Sequence, residues 1–188
     1  MLLDVSQSTA DRVRSSGQTV LEIEQQAAAL LAHAMSGLGD PFAMAAFAPD
    51  GREDVRFTRI KDFSQPFDRA AEAFLAGLQS GLSTRLGAAM RHAGAELSRQ
   101  RTHRRLLLVI TDGEPVDLEV DDDRYLVEDA RKAAQQLNRL GIDAFCVGLD
   151  SSAAPPLDRI FGARNAIKIA RIEALAYLLP RLYFTLRR

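Results

Sequence analysis

The 188-residue sequence has a single cysteine, Cys146, almost no net charge and no run of about 18 apolar residues. One cysteine excludes an internal disulfide and is typical of a reducing cytoplasm, where we place the protein. No transmembrane helix is predicted, and no basic segment precedes the first apolar residues as in a signal peptide. A formal charge of -1 gives no general attraction to nucleic acid or to an anionic membrane. We therefore predict neither nucleic-acid binding nor membrane insertion.

Short apolar runs alternate with helical patterns along the whole chain, which is 47% hydrophobic. This alternation predicts a doubly wound α/β fold with a mostly parallel sheet and helices on both faces. The length suits one domain with a substantial core. Strands are predicted at residues 2–5, 42–48, 52–61, 106–110, 142–149 and 166–169. Helices are predicted at residues 19–38, 68–78, 87–101, 126–140, 157–161 and 173–186. A turn at residues 49–51 makes residues 52–61 an antiparallel edge strand.

Oxygen-bearing side chains follow the two strands that are predicted to be central. Asp4, Ser6 and Ser8 come directly after the first apolar run, and Asp112 follows the most hydrophobic run in the chain. In an open parallel sheet ligands bind at the carboxyl ends of the strands, so these residues are expected to face one crevice. Serine and aspartate are also ordinary turn residues after a strand, so the first loop alone is weak support for a metal.

A third loop strengthens the case for a metal site. Thr84 lies between Gly81 and Gly87, and these glycines allow the backbone to come close. Hard oxygen ligands suit Mg²⁺ or Mn²⁺ better than zinc or copper. The sequence therefore predicts one divalent-cation site with five protein ligands: Asp4, Ser6, Ser8, Thr84 and Asp112.

Three segments carry a resemblance to a known family: DVSQS at 4–8, LSTRLG at 82–87 and LLLVITDGEP at 106–115. They resemble the metal-ion-dependent adhesion site of von Willebrand factor A domains. The resemblance implies that the first segment supplies three ligands, and that Thr84 and Asp112 supply one each. Ser83 is an alternative to Thr84, although the spacing to Gly87 favours Thr84. We expect the sheet order 3-2-1-4-5-6 of a Rossmann-like sheet.

Further segments, among them LGDPFAMAAFAPDGREDVRF, GIDAFCVGLD and RIFGARN, look like the C-terminal A domain of the bacterial NorD/CbbO type. Proteins of that type act with a MoxR-class AAA+ ATPase. One branch activates nitric oxide reductase and the other reactivates Rubisco, and the sequence does not separate the branches. The resemblance implies a non-catalytic adaptor whose client supplies an acidic residue to the cation. Because the chain begins inside a predicted core strand, we interpret residues 1–188 as one domain cut from the C-terminal end of a longer protein.

Two other functions compete with this interpretation. An aspartate after the first strand with Mg²⁺ also describes haloacid-dehalogenase phosphatases. These need a second aspartate where Ser6 stands, and a lysine near the phosphate that the candidate loops lack. No P-loop, nucleophile elbow or glycine-rich dinucleotide turn occurs. The third possibility is a scaffold domain without metal, which the complete set of ligands disfavours. We predict that the chain is not an enzyme.

Overall fold

The computed structural model describes residues 1–50, 54–81, 85–112, 123–149 and 154–187. The strands are β1 (Leu2–Asp4), β2 (Met44–Asp50), β3 (Asp54–Lys61), β4 (Arg105–Thr111), β5 (Ile142–Gly148) and β6 (Ala166–Lys168). The helices are α1 (Val20–Leu38), α2 (Arg69–Ala76), α3 (Leu86–Ser98), α4 (Asp123–Arg139), α5 (Ala154–Phe161) and α6 (Leu175–Leu186). Short 3-10 turns occupy Gln7–Ala10 and Ile172–Ala174.

The strands form one sheet in the order β3-β2-β1-β4-β5-β6, which confirms the predicted order. β1 pairs in parallel with β2 on one side and with β4 on the other. Only the β2–β3 pair is antiparallel among the strands described, so β3 is the predicted antiparallel edge. The carboxyl ends of β1 and β4 therefore lie side by side at the centre of the sheet.

Apolar side chains cover both faces of the sheet, as a doubly wound fold requires. Leu3 and Ile110 point to the face covered by α1, α2 and α6. Leu2 and Val109 point to the opposite face, covered by α3, α4 and α5. All four side chains are completely buried, so the short strand β1 is anchored from both sides. Cys146 is buried in β5, as expected of a core thiol.

Local signals explain where α1 begins and ends. Thr19 caps its first turn: the Thr19 hydroxyl accepts a hydrogen bond from Glu22 N, and the Glu22 carboxylate accepts one from Thr19 N. This reciprocal pair satisfies two amide groups that the helix leaves free. Gly39 ends the helix in the left-handed conformation, with φ 70°. Gly37, two residues earlier, lies inside the helix.

Two predicted boundaries differ from those in the structure. Pro49 and Asp50 belong to β2 and pair with β3, rather than starting a turn. β1 pairs with β2 only as far as Phe47. Beyond Phe47, β2 and β3 form a two-stranded ribbon. Proline is tolerated there because the other edge of β2 has no neighbouring strand to which a backbone N–H would have to donate. The last helix begins at Leu175 after a 3-10 turn, and it continues through Pro180 to Leu186.

Within the described ranges, no helix has the length and apolar character needed to cross a membrane.

Candidate metal centre

The first site loop starts where β1 ends. The Asp4 carboxylate is 1% exposed and is held at both oxygens. Its Oδ1 accepts a hydrogen bond from Ser6 N at 3.0 Å, and its Oδ2 accepts one from the Thr111 hydroxyl at 2.7 Å. The hydroxyls of Ser6 and Ser8 lie 3.1 Å apart. The end of β1 and the 3-10 turn that begins at Gln7 therefore bring three oxygen-bearing side chains together at the carboxyl end of one strand.

Asp112 comes to the same place from the neighbouring strand. Leu3 pairs with Ile110, so the residues after these two strands lie next to one another. The side chains of Ser8 and Ser6 lie close enough to the Asp112 carboxylate for hydrogen bonding to lower the pKa of Asp112. Four of the five predicted ligands are thus brought together, and their role as ligands stays a prediction.

The fifth predicted ligand, Thr84, and its alternative, Ser83, lie outside the described residues. The segment that leads toward them contacts the first loop directly. Gly81 N donates a hydrogen bond to Val5 O at 2.5 Å, and the hydroxyls of Thr9 and Ser80 lie 2.8 Å apart. The chain up to Gly81 therefore runs beside the loop that holds Ser6 and Ser8.

Burial dominates the electrostatics of this corner. Burial, and next the charge of Asp112, raise the pKa of Asp4 to about 7, against the lowering effect of the hydrogen bonds from Thr111 and Ser6. Burial also raises the pKa of Asp112, although hydrogen bonds from both serines act in the opposite direction. Glu24 of α1 belongs to the same corner, since burial and then the charges of Asp4 and Asp112 raise its pKa well above the ordinary value. Ionising these carboxyl groups without a nearby cation is unfavourable, and a bound dication would offset that penalty.

The donors present fit Mg²⁺ or Mn²⁺. No three His, Cys, Asp or Glu side chains in the described part of the chain are grouped so that they could hold an ion by themselves. An ion here therefore needs serine hydroxyls together with Asp4 and Asp112, all of which are hard oxygen donors. Such an ion would keep some positions for water or for an oxygen from another molecule.

Three features of this corner were not predicted from the sequence. Thr111, which holds Asp4, stands directly before the predicted ligand Asp112, and that position was its only signal. The Thr9–Ser80 contact had no signal, because it joins two loops far apart in sequence. Glu24 did carry one, since its helical spacing to Ala28 and Leu31 puts a charged residue on the apolar face of α1.

The doubly wound sheet, with oxygen donors at the carboxyl ends of its two central strands, places the chain among Rossmann-like α/β domains. The sequence model of the von Willebrand factor type A domain matches residues 1–179. The chain therefore belongs to the von Willebrand factor type A domain family.

Similar proteins agree with this assignment. Protein NorD of Brucella melitensis biotype 1 is 36% identical over 183 residues, which is 97% of this chain and 29% of that protein. The chain thus spans less than a third of the length of the curated relatives it matches. A von Willebrand factor type A structure from Catenulispora acidiphila has a TM-score of 0.60 at 17% identity, covering 96% of this chain and 40% of that one. The PilB minor pilin from Streptococcus sanguinis has a TM-score of 0.74 at 13% identity, covering 98% and 60%. At these identities the two structures support the fold alone.

Proposed function

We propose that this chain is a non-catalytic protein-binding domain whose contact with its client depends on a divalent cation, Mg²⁺ or Mn²⁺. The observation that carries the proposal is the meeting of Asp112 with the hydroxyls of Ser6 and Ser8 beside the buried Asp4. Thr84 would complete the ligand set. The cation would supply a positive centre to which an oxygen of another protein can bind.

The charge of the ligands favours an acidic group from outside. Asp4 and Asp112 bring at most two negative charges to a dication, and the hydroxyls bring none. At close range one more carboxylate is strongly preferred over water. The site opens on the side of Ser8, which is exposed, whereas Asp4 and Ser6 are buried. An aspartate or glutamate of a client can therefore approach the cation from that side.

The identities of the client and of the partner ATPase form part of the same proposal. Similarity to proteins named NorD supports placing the chain in the NorD/CbbO type. On that basis we propose that the client is Rubisco or nitric oxide reductase, and that the full-length protein acts on it with a MoxR-class AAA+ ATPase. Since the chain spans only 29% of its relative, docking of the ATPase is assigned to other surfaces of the longer protein.

The proposal is tested by binding of purified candidate clients. The immobilised chain should retain Rubisco or nitric oxide reductase in Mg²⁺ and release it in EDTA. A Ser6→Ala/Ser8→Ala double variant should lose this retention. In the full-length protein the same double variant should also lose client activation, while ATP hydrolysis by the partner ATPase is largely kept.

A matched control is the Ser36→Ala/Ser98→Ala variant, which removes two exposed serine hydroxyls from helices away from the site. It should bind the client like the parent. Retention of the client in EDTA, or by the Ser6/Ser8 variant, would show that the site is structural. Hydrolysis of p-nitrophenyl phosphate that needs Mg²⁺ and is abolished by Asp4→Asn would favour the phosphatase instead.

A further inference from the structure

Glu24 is an acidic residue whose side chain is buried away from water. It lies in the second turn of α1, its side chain is 0% exposed, and neither carboxylate oxygen has a hydrogen-bond partner among the described residues. The adjacent Gln25 shows the usual solution, since its Nε2 donates to Leu78 O at 3.1 Å. Buried polar groups are almost always hydrogen-bonded, so an unpartnered buried carboxyl group requires an explanation.

Packing gives no such explanation. Ala28 and Leu31, on the same face of α1, are completely buried in the apolar core. An apolar residue at position 24 would continue this face without the desolvation penalty of a carboxyl group. The protein thus keeps a group that the core does not need.

The position of Glu24 indicates a role at the cation site. α1 packs against the 3-10 turn Gln7–Ala10, which holds Ser8. In agreement with this packing, burial and then the charges of Asp4 and Asp112 raise the pKa of Glu24. These are the two carboxylates assigned to the cation, one at the end of β1 and one directly after β4. Glu24 therefore belongs to the buried, helix-covered side of the site, whereas Ser8 is exposed.

We propose that Glu24 is a positioning residue of the cation site, whose carboxylate would accept a hydrogen bond from a water molecule bound to the ion. This inference rests on the cation site of the proposed function. A direct bond to the ion is disfavoured, because Glu24 does not form a metal-holding group with Asp4 and Asp112. A bound water fits, since Mg²⁺ usually keeps several of its waters in protein sites. The water would supply the hydrogen bond that the carboxylate lacks, and the ion would supply the opposing charge.

Isothermal titration with Mn²⁺ tests the proposal on the 188-residue chain. Glu24→Gln and Glu24→Leu should each weaken Mn²⁺ binding by about tenfold or more, as is typical when a group that orients a metal's surroundings is removed. The matched control is Glu22→Gln, which removes the same charge from an exposed position two residues away. Glutamine can still complete the helix cap there, so Mn²⁺ affinity should stay within about twofold of the parent.

Melting in EDTA separates this role from a purely structural one. If Glu24 serves the cation, its buried carboxyl group destabilises the fold when no cation is bound. Glu24→Leu should therefore have a higher melting temperature than the parent in EDTA, although it binds Mn²⁺ more weakly. Parent-like Mn²⁺ affinity in both Glu24 variants would overturn the inference and leave the proposed function standing. So would lower melting temperatures of both variants in EDTA, because Glu24 would then have a structural partner. If the parent itself bound no Mn²⁺, the inference and the proposed function would fail together.

Discussion

The Thr111 hydroxyl donates a 2.7 Å hydrogen bond to Oδ2 of Asp4, joining the ends of the two central strands. Both side chains are buried. Because Ser6 N holds Oδ1, the carboxylate cannot rotate without breaking one of two bonds. The first predicted ligand is therefore fixed in place by β4, the strand that leads directly to the last one, Asp112.

Loss of this bond should cost stability. Thr111→Val keeps the shape of the side chain but removes one hydrogen-bond donor from the buried carboxylate of Asp4. Such a change typically costs roughly 2 kcal/mol of unfolding free energy. Urea unfolding at pH 7.5 in EDTA measures it. Thr58→Val on the edge strand β3 is the control, and an equal loss in both variants would contradict the importance of the Asp4 contact.

Protons should stabilise the metal-free protein through Asp4. The folded state raises the pKa of this group from 3.8 to about 7, so the folded protein binds a proton more tightly than the unfolded chain. Its contribution is full below about pH 4 and is lost as the pH rises through about 7. A shift of about three pH units corresponds to an effect on the order of 4 kcal/mol.

The comparison of parent with Asp4→Asn isolates this effect. In EDTA, the parent should lose more unfolding free energy than the variant when the pH is raised from 5 to 7.5. In saturating Mg²⁺ the parent should no longer lose more unfolding free energy than Asp4→Asn over this pH range, because the ion favours the deprotonated carboxylate. Parallel pH curves for the two proteins in EDTA would refute the assignment.

A divalent cation should raise the melting temperature of the parent. At about 100 times its Kd, an ion that binds only the folded state adds about 2.7 kcal/mol, or ~5–10 °C for a chain of this size. Asp4→Ala and Asp112→Ala should each abolish the response to Mg²⁺ or Mn²⁺ and still fold in EDTA. Asp143→Ala changes an exposed aspartate at the opposite end of β5 and should respond like the parent. A parent-like response in either site variant would show that the ligand assignment is wrong.

The α3–α4 contact should not tolerate a methyl group at Gly87. A Cβ atom there would lie 2.1 Å from Asp129 Oδ2 and 3.1 Å from Ala130 N. It would displace the carboxylate that Arg91 binds with both terminal nitrogens, at 3.0 and 2.7 Å. We expect Gly87→Ala to lower the unfolding free energy by about 1–3 kcal/mol.

Gly37→Ala is the matched control for this prediction. Gly37 also lies in a helix, but a Cβ atom there would meet nothing within 4 Å. Alanine should therefore stabilise the protein by up to about 1 kcal/mol through its better helix propensity. Thermal unfolding of both variants tests this prediction. An unchanged melting temperature of Gly87→Ala would mean that α4 shifts freely on α3.

The centre of the fold was accessible from sequence because its signals are local. The apolar run ending at Thr111 and the short run before Asp4 each mark a buried strand and its carboxyl end. Parallel pairing then brings the two aspartates together, as the structure shows. The capping residues of α1 likewise act within a few positions of the helix end.

What escaped prediction depends on contacts between distant segments. The partners of Thr111 and Thr9 are settled only once strands and loops are packed. Pro49 resembles a turn residue, and it lies in a strand because the β2–β3 ribbon extends past β1. Glu24 is the opposite case: its misfit on an apolar helix face was visible in the sequence, but the carboxylates beside it were not.

The place of β1 in the sheet also sets the order in which a growing chain can complete its centre. β2, its partner on one side, begins at Met44, whereas β4, its partner on the other, begins at Arg105. A ribosome releases the chain from its amino end, so one edge of β1 stays unpaired while α2 and α3 are made. The bond between Thr111 and Asp4 spans 107 positions, and closing so long a loop is slow. A ligand that needs both strand ends therefore recognises only finished domains, and it slows their unfolding without speeding their folding.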